Sequence, residues 1–82
     1  MAAIATTLSR KINRLPVALK RRMEQEGVLE LYNQRPPYQR NDYLGWIARA
    51  KQEATQQKRT EQMIAELKKG NVYMKMKWTG PH

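Results

Sequence analysis

The chain predicts an all-α fold: a small bundle of three to four helices with a flexible or extended C-terminal arm. Three observations carry this reading. Apolar residues recur at steps of three and four between Leu15 and Leu67, the spacing that lines one side of a helix. Gly27 and Gly70 follow two of these runs, at the position where left-handed backbone ends a helix. Pro36 and Pro37 separate two others, because proline disfavours the α conformation in the residue before it. The chain divides into an N-terminal extension or short helix over residues 1–14, a helical domain over 15–70, and a basic, aromatic tail over 71–82.

In the extension, Ile4, Leu8, Ile12 and Leu15 share one helical side, but alanine and threonine fill the gaps. A docked helix and a frayed end fit this segment equally. Pro16 suits a first helical turn, having no N–H to lose. From there a helix reaches about Glu26 with Leu15, Leu19 and Met23 inward and Lys20, Arg21 and Arg22 outward. A short second helix places Val28, Leu31 and Tyr32 on one side and ends before the proline pair.

The third helix is predicted from Pro37 to about Lys51. Tyr43, Trp46, Ile47 and Ala50 fall at i, i+3, i+4 and i+7, a single apolar stripe. Asp42 is placed near the positive end of its dipole. Gly45 costs about 1 kcal/mol relative to alanine, and close approach of a neighbouring backbone would account for it. The fourth helix has Thr55 as N-cap, Met63, Ile64 and Leu67 inward, Lys68 and Lys69 at the carbonyl end, and Gly70 as its stop. Beyond it, Val72, Met74, Met76 and Trp78 alternate with Tyr73, Lys75 and Lys77, the period of a strand. The core is therefore assigned to Leu19, Tyr43, Trp46, Ile47, Ala50, Ile64 and Leu67.

Composition narrows the chemistry. There is no cysteine, and the one histidine is His82 at the C-terminal end, so neither a thiolate or histidine metal site nor a histidine base is available. The seven carboxylates are scattered, mostly on expected solvent faces, and no nucleophile has a base beside it. The expectation is a non-enzymatic protein with no catalytic residues, no metal and no cofactor. No run approaches the roughly 18 apolar residues that span a bilayer. The acid-free, arginine- and hydroxyl-rich start has the composition of a mitochondrial transit peptide. The reading of Leu15 onward as folded structure favours a cytoplasmic protein over a mitochondrial or membrane-associated one.

The net charge of +9 is unevenly placed: +6 over residues 1–23, +4 over 68–82 and −1 between them. Arg10, Lys11, Arg14, Lys20, Arg21 and Arg22, with Lys75 and Lys77 in the tail, form a candidate polyanion-binding set. Thr55 and Arg59, at the start of a helix with free N–H groups, form a candidate anion site. Trp46 is read first as a core residue and second as a ring presented to a ligand.

The stretch "YLGWIARAKQEATQQKRTEQMIAELKKG" resembles the C-terminal helical module of the YdeI/OmpD-associated (OmdA) bacteriocin-protection family. Trp46, Ile47, Ala50, Lys51, Thr55, Arg59, Leu67 and Gly70 match that family's pattern at its spacing, with Leu15–Pro16 and Pro37 matching upstream. Gln56, Thr60 and Pro36 depart from it. The resemblance implies a helical binding or adaptor unit linked to resistance against antimicrobial proteins or to envelope stress, and it carries over no catalytic residue. A protein partner is expected, and nucleic-acid binding through the basic ends is the alternative. The oligomeric state is not readable from the sequence.

Overall fold

Four helices and a small hairpin follow one another along the chain in the computed structural model, which describes residues 13–78. Residues 1–12, with Arg10 and Lys11, and residues 79–82, with His82, lie outside the described residues. The helices are α1 (Val17–Glu26), α2 (Leu29–Gln34), α3 (Pro37–Ala48) and α4 (Glu53–Lys69); the strands are β1 (Val72–Tyr73) and β2 (Met76–Lys77). The fold is thus mostly α, and the predicted arm is an antiparallel ribbon pairing Val72 with Lys77 and Tyr73 with Met76.

The glycine stops act as expected. Gly27 has φ 73°, its N–H donates to the Glu24 carbonyl, and the Val28 N–H reaches back to Met23 at 2.9 Å. This double closure satisfies two carbonyls that the end of α1 would leave bare. Gly70, at φ 83°, closes α4 more simply with one bond to the Glu66 carbonyl at 2.9 Å. Thr55 does not cap α4: the helix begins at Glu53 behind Gln52, whose side chain forms no capping bond. Glu53 supplies a carboxylate to the first turn instead.

Met23, Val28, Tyr32, Tyr43, Leu44, Met63, Ile64 and Leu67 form the core, with Leu15, Leu19, Leu29, Trp46, Ile47, Tyr73 and Met74 packed partly buried against it. Fully burying such a side chain contributes about 1.5–3 kcal/mol, and Met23, Tyr43 and Met63 are completely enclosed. The inward side of α3 is rotated from the predicted stripe. Gln39, Tyr43, Leu44 and Gly45 are its buried residues, α3 stops at Ala48, and Ala50 is buried in the connection to α4. Leu31, expected inside, is 37% exposed, because α2 has only six residues and Val28 and Tyr32 take its inward positions.

Asp42 is the sixth residue of α3, beyond the first turn, and accepts a hydrogen bond from the Tyr73 hydroxyl at 2.6 Å. Gly45 meets a side chain, not a backbone. A Cβ built on it would lie 2.9 Å from Asn13 Nδ2 and 3.1 Å from an Arg49 nitrogen. Asn13 is held there by Asn41, whose side-chain oxygen accepts its N–H at 2.7 Å and whose carbonyl accepts its amide at 3.1 Å.

Candidate functional site

The interior contains a polar cluster at the junction of α2, α3, α4 and the hairpin. Glu66 is only 5% exposed, and both carboxylate oxygens are occupied. Oε1 accepts from the Tyr43 hydroxyl and from the Met74 N–H at 2.8 Å. Oε2 accepts from the Gln62 amide at 3.0 Å and the Lys75 N–H at 2.9 Å. Burial, followed by the hydrogen bond to Glu66 and the charge of Glu66, pushes the Tyr43 phenol far above its ordinary range. Met74 and Lys75 have φ 51° and 64°, the backbone of a two-residue hairpin turn that normally selects asparagine and glycine. The carboxylate holds both of their N–H groups and so fixes a turn that these residues disfavour.

Two arginines stabilise helix ends in the same manner. Arg35, 4% exposed, donates to the Glu66 carbonyl at 3.0 Å and to Gln39 Oε1 at 3.1 Å, while its guanidinium lies 4.6 Å from the Trp78 ring centre. Arg59 donates to the Trp46 carbonyl at 2.6 Å and lies 5.1 Å from that residue's ring centre. In each case a cation meets the negative end of a helix and the face of an indole. Arg59, half of the candidate anion site, is therefore turned toward α3. Thr55 is half-buried within the first turn of α4.

Among the candidate polyanion-binding residues, Arg14, Lys20, Arg21, Lys75 and Lys77 are exposed. Arg22 is half-buried and pairs with Glu26 at 3.3 Å. Glu26 also receives Lys68 at 3.2 Å, and Lys68 first, then Arg22, holds its carboxyl below the usual range. Among the described residues no three histidine, cysteine, aspartate or glutamate side chains converge as metal ligands, and no helix is long and apolar enough to cross a membrane.

A cleft of about 560 Å³ opens between the end of α2 and the start of α3. Leu15, Tyr32, Pro37, Tyr38 and Leu44 supply its apolar walls, and Asn13, Asn33, Arg40 and Asn41 its polar ones.

The family model described as bacteriocin-protection, YdeI or OmpD-associated, OmdA, matches residues 14–70. The chain belongs to the OmdA family. No curated protein and no solved structure is significantly similar to it. The OmdA match takes in all four helices and stops at Gly70, short of the hairpin. Within it, the residues that carry the resemblance have physical roles: Trp46 and Arg59 form the stacked pair, Ala50 and Leu67 are buried, and Gly70 adopts the left-handed stop.

Glu66, Arg35 and Gln39 were not singled out by the sequence. A signal for two of them exists in hindsight. Glu66 lies three residues after Met63 and beside Leu67, on the inward face of α4, and Gln39 lies one turn before Tyr43.

Proposed function

We propose that this OmdA-family chain is a binding or adaptor module without chemistry of its own, acting in protection against bacteriocins or related antimicrobial proteins. The observation that carries this reading is the engagement of the interior polar groups. Glu66, Tyr43, Arg35 and Gln39 hydrogen-bond to one another, to helix ends or to the hairpin, so their positions serve shape. Contact with a partner then falls to the outer surface, where Tyr38 and Met76 present exposed apolar side chains.

The test compares survival of bacteria with and without the expressed chain under bacteriocin challenge, with chemical cross-linking in the same cells. Raised survival, with cross-links from Lys20, Lys75 or Lys77 to one protein, supports the module. Equal survival removes the protective role. Fragmented or modified bacteriocin in the presence of purified chain removes the non-catalytic part.

A second reading is sequence-independent nucleic-acid binding. It is favoured by the exposure of Arg14, Lys20, Arg21, Lys75 and Lys77, none of which has an ion-pair partner among the described residues. Such binding weakens steeply with salt, because each neutralised phosphate releases counterions. Titration of duplex and single-stranded oligonucleotides at two salt concentrations decides it; no affinity at low salt eliminates this reading.

A further inference from the structure

We propose that the cleft between α2 and α3 binds a small organic monoanion with a flat apolar body, an arylcarboxylate being the simplest case, and that Arg40 is its counter-ion. The volume of about 560 Å³ lies in the ordinary range for small-molecule sites. Its walls are aromatic and aliphatic, with Tyr32, Tyr38, Pro37 and Leu44 suited to the faces of a ring. No acidic residue is among the described residues that line it, and residues 1–12, which join the chain at Asn13, contain none.

Among the described residues no carboxylate pairs with the charge in this cleft. Arg22, Arg35 and Arg59 each have a defined partner. Arg40 is half-buried, and its Nε is shielded from water with no hydrogen-bond acceptor. An atom closed to water is closed to a carboxylate oxygen as well, so the contact with an anion falls to the terminal nitrogens of the guanidinium and not to Nε. The Arg40 charge pulls the Tyr32 phenol downward, against the larger upward push of burial. A cation held in an apolar, acid-free cleft attracts an anion more strongly than one in open water, because local screening is weaker. A single guanidinium matches one carboxylate in a planar, two-point arrangement. The walls reward a ring in place of a chain of further charges. Anion binding in the cleft is independent of the adaptor role.

The probe is 2-naphthoate, compared with its neutral analogue 2-naphthamide, by titration of the full chain followed through backbone amide shifts. The expected result is saturable shifts at Tyr32, Asn33, Tyr38 and Asn41 with a Kd of about 1 mM or tighter, the level a ligand of this size reaches at ordinary efficiency. The amide and the Arg40→Met variant should each bind about tenfold more weakly. Lys58→Gln, which removes one exposed charge elsewhere, should leave the affinity unchanged. Absence of shifts in the cleft overturns the proposal, as does equal binding of naphthoate and naphthamide by the native chain. The second comparison needs no variant, so a fold defect in Arg40→Met does not affect it. An equal loss in Lys58→Gln would reduce the effect to net charge and also overturn the proposal.

Discussion

The backbone N–H of Lys75 donates to the buried carboxylate of Glu66 at 2.9 Å, so a side chain of the last helix closes the hairpin turn that follows it. The neighbouring N–H of Met74 uses the other oxygen. Successive N–H groups converging on one anion make a small nest. Here the anion belongs to the protein.

Replacing Glu66 with glutamine puts an NH2 group among donors that need an acceptor. The expected cost is about 2–3 kcal/mol, from a lost charge-assisted bond and a stranded donor. Urea denaturation measures it, with amide exchange at Met74 and Lys75 as the local readout. An unchanged midpoint would mean that the turn does not depend on the carboxylate.

The turn itself can be improved. Lys75→Gly installs at the second central position the residue that accepts positive φ most readily, and leaves Met74, which packs against the core, in place. Relief of left-handed strain outweighs the added freedom of the unfolded chain, and a gain of about 1 kcal/mol is expected. A lower melting temperature would contradict this.

Gly45 and Asn13 should be energetically coupled. In the native chain Gly45→Ala gains about 1 kcal/mol of helix propensity, but its Cβ crowds Asn13 Nδ2 and disturbs the bonds to Asn41. These effects nearly cancel. In an Asn13→Ala background the closest contact is gone and only the exposed Arg49 guanidinium, at 3.1 Å, must shift, so Gly45→Ala should become stabilising by about 0.5–1 kcal/mol. Identical effects in both backgrounds would show that Asn13 moves aside freely.

Arg59→Met removes a charge-assisted bond to the Trp46 carbonyl while keeping an apolar stem over the ring. A loss of about 1–3 kcal/mol is expected. Emission from Trp46, isolated by Trp78→Phe, should shift to the red as the indole gains water. Retention of both stability and emission would reduce the pair to a surface contact.

Alkaline pH should destabilise the chain through Tyr43 and Tyr32. Both phenols are raised in the folded state, mainly by burial. Their contribution is therefore complete below the unfolded-state value near 10 and is lost as pH rises above it, because the unfolded chain ionises first. Urea midpoints at pH 8 and pH 11 should fall, less steeply in Tyr43→Phe. A slope unaltered by that variant would remove Tyr43 as the cause.

Helix existence was readable in the sequence because it rests on local signals. Gly27, Gly70, the proline pair and the Leu19–Met23 and Met63–Leu67 spacings each act within a turn or two. The site was less readable for the same reason. Glu66 looks like one more solvated carboxylate until a hairpin folds back over it, and that approach depends on tertiary contacts. The Met74–Lys75 turn lacks the glycine or asparagine that would announce it, so the alternation around it suggested one continuous strand. The preference for hydroxyl caps that points to Thr55 is statistical, and here Gln52 holds the N-cap position and Glu53 begins the helix, three residues earlier.

The segment matched by the family model ends at Gly70, while the interior it helps to build also draws on Met74, Lys75 and Trp78 beyond that point. A genetic rearrangement that moved residues 14–70 into a new host protein would leave behind the two amides that hydrogen-bond Glu66 and the indole that stacks on Arg35. The recipient would need to furnish equivalents from its own flanking sequence, or the transplanted helices would carry an exposed, half-solvated anion where the donor had a sealed interior.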